Sequence, residues 1–165
     1  MLIAAEVEDA SAPFRDFADN WYAFDRGGPF LTAGSRPRWF NNPCAWGSRD
    51  QLNAMNFCSA AAREIINAAA ADSAAFLQKR RAKEVSLRLM IDHAIPLVIL
   101  RQRVFADVTL RSIPALRDYM RASYRRGVIT SSEDASLNGL GLRSRMPADW
   151  DGVDPYARYR AASIL

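Results

Sequence analysis

The sequence predicts an all-α fold, an antiparallel helical bundle built on a long helix that begins near residue 48. Three observations carry this expectation. Between Gly47 and Gly127 there is no glycine, and only Pro96 and Pro114 interrupt the run. Ala, Leu, Arg, Gln and Glu dominate it, and these side chains lose little freedom in a helix. Its apolar positions recur at steps of three and four. The 165-residue chain reads as one domain, 1–165, with a helical core over about 48–126. That length buries a core without a disulfide or metal.

Residues 1–12 read as a short leader. From Pro13 to Arg26 the set Phe14, Phe17, Ala18, Trp21, Tyr22 and Phe24 suits an amphipathic helix, stopped by Gly27-Gly28-Pro29. Residues 27–47 then combine Gly and Pro with Phe30, Trp39, Phe40 and Trp46, which predicts irregular structure pinned by aromatics. Those four rings either dock the segment onto the core or form an apolar contact surface for a partner.

Ser48 or Asp50 can cap the long helix, whose seam is Leu52, Met55, Ser59, Ala62, Ile66, Ala69, Ser73 and Phe76. Such an Ala/Ser seam serves an intramolecular bundle or self-association. The helix is expected to continue through Lys79 to Ile91, turn over Asp92–Ile95 and restart at Pro96 with Leu97, Leu100, Val104 and Val108 inward. Ser112 can cap a further helix that runs to Arg126 and stops at Gly127. Thr130-Ser-Ser-Glu133 matches a capping box for a short helix ending at Gly139. Residues 142–165 read as an extended tail with one short helix near 156–162, and no β-hairpin signal competes.

Basic residues comprise 20 Arg and 2 Lys, and twelve of them fall between Leu77 and Arg126 against four acids. That basic middle predicts an acidic partner or an internal contact with the acidic ends. Cys44 and Cys58 have neither Cys-x-x-Cys spacing nor a local histidine, so no metal site is indicated and both thiols are expected to be free. The first residues lack the basic start of a secretory signal, and Val85–Leu100 is broken by Arg88, Asp92, His93 and Pro96. A cytoplasmic protein without a transmembrane segment is expected.

His93 is the only histidine, which removes most general-base and nucleophile schemes. Gly139-Leu-Gly141 lacks the context of a dinucleotide site, and Asp149-Trp-Asp151-Gly-Val-Asp154 has the wrong spacing for a calcium loop. No catalytic, cofactor or metal residue is therefore assigned. The polar features with weight are Lys79, Arg80, Arg81 and Lys83, and Arg117, Arg121 and Arg125 at i, i+4 and i+8 with Arg126 beside them. They are either a solvated helix face or a site for phosphates of nucleic acid or anionic lipid, read without base specificity.

Ala74-Ala75-Phe76-Leu77-Gln78-Lys79-Arg80-Arg81-Ala82-Lys83-Glu84-Val85-Ser86-Leu87, then Pro96 through Gln102-Arg-Val-Phe105, then Tyr119, form a pattern that resembles the phasins. These proteins coat bacterial polyhydroxyalkanoate granules. The resemblance spans about 50–126 and rests on an Ala-rich amphipathic helix, a proline break, a Gln-x-x-Phe pair and a later aromatic. It implies an all-helical, self-associating, non-catalytic protein that lays apolar side chains on a polyester surface. The alternatives are a sequence-independent nucleic-acid binder using 77–126, and a helical adaptor that meets an acidic or other protein partner through residues 30–46.

Overall fold

The computed structural model describes residues 11–25, 55–72 and 88–165. Its elements there are helix α1 (Ser11–Asp25), strand β1 (Phe57–Cys58), helix α2 (Ala60–Ala71), strand β2 (Leu89–His93) and helix α3 (Leu97–Ala106). A 3-10 turn (Val108–Arg111) leads to helix α4 (Ile113–Ser123), strand β3 (Arg126–Thr130), helix α5 (Ser131–Gly139) and helix α6 (Ala157–Ala161).

The three strands form one mixed sheet, so the fold is not all-α. Strand β3 lies in the middle, parallel to β1 and antiparallel to β2. All five β3 residues are buried, as expected of a central strand covered on both faces. Val128-Ile129-Thr130 is a β-branched run suited to that position. Cross-strand partners share a face, so Leu89, Ile91 and His93 lie with Thr130, Val128 and Arg126 on one side. There the sheet carries the larger core, with Tyr22 and Phe14 of α1, Ile66 of α2, Leu100 of α3 and Met120 of α4. On the other face Ile129 packs with Leu137 of α5, Leu142, Tyr159 of α6 and Ile164.

Gly127 is needed inside the sheet rather than at a helix end. It pairs with Phe57, and a Cβ placed on it would stand 2.9 Å from Phe57 Cδ1 and 3.4 Å from Phe57 Cβ. The missing side chain lets β1 approach β3.

Several sequence expectations are corrected here. The long helix from residue 48 is replaced, in its described part, by β1 and then α2, and Ser59 is a helix cap at φ −62°, ψ 156° rather than a seam residue. Leu89–Ile91 is strand, and β2 runs on through Asp92 and His93 where a turn is expected. The helix after Ser112 stops at Ser123, so Arg126 lies on β3. Residues 142–165 are packed rather than extended, since Leu142, Tyr159 and Ile164 are buried. The 27–47 segment lies outside the described residues.

The capping arguments at Ser112 and Thr130 hold, while Ser48 and Asp50 lie outside the described residues. The Ala115 amide donates to Ser112 Oγ at 3.3 Å, and Pro96 immediately precedes α3. Thr130 and Glu133 form the expected capping box. Glu133 reaches further than sequence spacing implies, because its Oε2 also accepts from Ser59 Oγ at 2.7 Å. Ser59 Oγ in turn accepts from the Ala62 amide at 3.1 Å. One carboxylate thus closes the N-termini of two helices, α2 and α5, where anions are favoured by the helix dipole. Glu133→Ala should lower stability by about 2 kcal/mol, the range for hydrogen bonds to a charged group, while Glu133→Gln should recover part of it; urea unfolding of the three proteins measures both.

Candidate functional site

The sheet gathers polar side chains at one end, where β2 finishes and β3 begins. His93 ends β2 and sits opposite Arg126, the first residue of β3. Tyr124 precedes β3, Asn56 precedes β1, and α1 lays Asp19 and Tyr22 over them, three residues apart and so on one helix face.

The contacts form a closed network. The Tyr124 hydroxyl donates to Asp19 Oδ1 at 2.6 Å, and Arg126 Nη1 donates to the same oxygen at 3.0 Å. His93 Nε2 is 3.1 Å from the Tyr124 oxygen and 3.9 Å from Asp19 Oδ1, the latter too long for a hydrogen bond. Since the Tyr124 proton is committed to Asp19, its oxygen is left to accept, which assigns a proton to Nε2 of the neutral ring. Asn56 Oδ1 accepts from both Tyr22 Oη and the Arg126 amide, each at 2.9 Å. The Arg126 guanidinium lies over the Tyr22 ring, 5.9 Å from its centroid.

Burial opposes ionisation of Asp19, but the His93 ring, the Arg126 charge and the Tyr124 hydroxyl outweigh it and bring the pKa down from 3.8 to about 2. Burial lowers the His93 pKa, with Arg126 adding to the effect against the pull of Asp19 and Asp92. Burial, then the Asp19 charge, raises Tyr124 well above the usual phenol range. At neutral pH the site therefore holds Asp19 ionised, His93 neutral and Tyr124 protonated. In this arrangement the network ties α1 to the sheet.

A second buried cation anchors the C-terminal segment. Arg158, 1% exposed, donates through Nε to Ala94 O at 2.8 Å and through Nη1 to Leu142 O at 2.9 Å. Its Nη2 meets Asp92 Oδ2 and His93 O, and the Tyr159 hydroxyl donates to Asp92 Oδ2 at 2.8 Å. Nearby, an open depression of about 370 Å³ is lined by Asp149, Trp150, Asp151, Asp154 and Arg160 among others. Its carboxylates already accept from the amides of Val153, Asp154 and Tyr156, and no group that could hold a metal ion occurs among the described residues.

Of the arginines expected to share one face, Arg117 and Arg121 do so on α4, Arg125 follows past the helix end, and Arg126 is removed to β3. Arg117 and Arg121 are exposed on α4 and paired, Arg117 with Asp118 at 3.2 Å and Arg121 with Asp25 of α1 at 2.6 Å. Arg125 lies past the helix end and bonds the Arg121 carbonyl. Arg126 is buried in the polar network, so it is unavailable to an anionic partner. Lys79, Arg80, Arg81 and Lys83, and Phe30, Trp39, Phe40 and Trp46, lie outside the described residues.

Sequence reading also passes over the corner between α3 and α4. Phe105, Val108 and Ile113 are 61%, 63% and 83% exposed there, with Arg103, Arg111 and Arg117 interleaved on exposed positions. Phe105 abuts α1 through Phe14, at a ring separation of 6.3 Å. Phe105 and Ile113 fall off the three-four seam expected after Pro96, whereas Val108, expected inward on that seam, is exposed because the chain leaves α3 at Ala106 and enters the 3-10 turn. Among the described residues, no helix is long and apolar enough to cross a membrane. No family model, curated protein or solved structure matches this chain.

The network makes stability pH-dependent with a definite sign. Below the ordinary histidine pKa of about 6.5 the unfolded chain takes a proton that folded His93 resists, so stability falls with pH. Asp19 adds a second loss as pH drops from about 4, its unfolded pKa, toward its folded pKa of about 2. Urea unfolding from pH 7 to 3 should show both, and His93→Gln should flatten the first. A first decline that survives in His93→Gln would assign it to another group.

Proposed function

We propose that this chain is a non-catalytic interaction protein that seats the α3–α4 corner on an anionic amphiphilic surface, such as a lipid-covered granule or membrane face. The observation that carries this reading is the exposure of Phe105, Val108 and Ile113 beside Arg103, Arg111 and Arg117. Apolar side chains gain nothing against a phosphate backbone alone. Against an amphiphilic interface each fully buried one is worth about 1.5–3 kcal/mol, and the arginines add attraction to anionic headgroups.

The pairs that engage these arginines are no obstacle. Arg103–Asp107 at 3.9 Å and Arg117–Asp118 at 3.2 Å involve exposed groups, and exposed pairs exchange at little cost. The reading keeps surface coating from the phasin resemblance. It gives up the helical bundle that opens to coat, because the described chain holds a sheet with both faces covered. A cytoplasmic setting belongs to the same proposal.

Flotation with phosphatidylglycerol and phosphatidylcholine vesicles tests it. Binding is expected on the anionic vesicles, and Val108→Asp with Ile113→Asp should weaken it at least tenfold, about 1.4 kcal/mol, with the circular dichroism unchanged. No binding to anionic vesicles overturns the reading. Tight, salt-sensitive binding to duplex DNA that is indifferent to both substitutions overturns it in favour of nucleic acid.

A further inference from the structure

Among the described residues strand β2 is an edge strand, and its hydrogen-bond phase determines which of its residues face outward. The Ala94 amide donates to Arg125 O, and the Ser131 amide to Arg88 O. Both belong to the register that pairs Met90 with Ile129 and Asp92 with Gly127. The even-numbered residues therefore exchange hydrogen bonds with β3, and the backbone groups of Leu89, Ile91 and His93 point away from it. The His93 carbonyl accepts from Arg158. The outward backbone groups of Leu89 and Ile91 take no partner among the described residues. Met90 between them is 40% exposed.

An open edge with an exposed apolar residue at its centre is a template for another strand. We propose that it pairs with the same edge of a second copy, antiparallel about a two-fold axis at Met90. This reading is independent of the surface-binding corner. Its basis is self-complementarity. In this register Leu89 and the partner's Ile91 exchange hydrogen bonds, and Ile91 does so with the partner's Leu89, which engages all the free outward groups. Arg88 falls opposite the partner's Asp92, whose Oδ2 is already held by Arg158 and Tyr159 of its own chain, so a guanidinium meets the outer side of a carboxylate twice across the axis. Met90 faces the partner's Met90.

Sliding one strand by a single residue breaks the hydrogen-bonding phase, and moving the axis to Leu89 or Ile91 keeps the phase but loses the apposition of Arg88 and Asp92. Arg158 on the His93 carbonyl ends the free edge, so the overlap is confined to Arg88–Asp92. The result would be a continuous six-stranded sheet with a short junction and a concentration-dependent dimer.

Facing Met90 residues form a non-hydrogen-bonded pair with Cα atoms about 4.5 Å apart, within disulfide range of about 4.4–6.8 Å. With Cys44 and Cys58 replaced by Ala, Met90→Cys should cross-link into a dimer under mild oxidation, whereas Ser132→Cys on α5 should stay monomeric. In sedimentation equilibrium Arg88→Asp, which puts like charges opposite each other, should raise the dimer dissociation constant at least tenfold with unchanged circular dichroism. A chain that is monomeric throughout, equal cross-linking at Ser132→Cys, or a dimer that resists Arg88→Asp and does not cross-link at residue 90 each overturns the proposal. A monomer whose edge captures an extended peptide instead does so as well.

Discussion

Complete burial of β3 constrains everything around it. Five consecutive buried residues, with Arg126 and Thr130 only 4% and 6% exposed, leave their polar groups little access to water, so these are satisfied largely inside the protein. The ladders to β1 and β2 satisfy the backbone. Arg126 brings a charge into the interior, and Asp19 of α1 answers it. Thr130 brings a hydroxyl and a helix start, and Glu133 answers both. Gly127 brings no side chain and so admits Phe57. The packing of α1, the tie between α2 and α5 and the seat of β1 are three solutions to one problem.

The same logic explains what was legible in the sequence. The caps at Ser112 and at Thr130 with Glu133 were legible, because they act on amides within three residues, and Pro96 was legible as a helix start through its fixed φ, whereas the cap Ser59 was hidden among apolar seam positions. The helices around them follow. The sheet was not legible, because its pairings join residues 33 to 70 positions apart and leave only short local traces. Strand β1 has two residues, and β2 is Leu-Met-Ile-Asp-His, whose Leu89 and Met90 favour helix and are overridden by tertiary context. Val128-Ile129-Thr130 did carry a strand signal, masked by reading Gly127 as a helix stop and Thr130 only as a cap. Of the polar site, His93 was singled out and set aside because its neighbour Asp92 points elsewhere. Its working neighbours, Asp19 and Tyr124, lie 74 and 31 residues away.

Net charge is a poor guide to where this protein meets a partner. The described residues contain fourteen arginines against thirteen acids, so they are close to neutral, and the excess of the chain lies elsewhere. Arg126 and Arg158 are buried in specific internal contacts, and Arg121 holds α4 to α1 through Asp25. An electrostatic surface built from the sum of arginines would count Arg126 and Arg158 as available, although moving them would leave the largely covered Asp19 and Asp92 uncompensated. Among the outward arginines, those at the α3–α4 corner are interleaved with apolar side chains, and one stands at the edge of β2. In both places a charge stands beside an exposed apolar residue, Ile113 or Met90. It is that combination, rather than positive charge alone, that separates a surface able to bury area from one that is merely solvated.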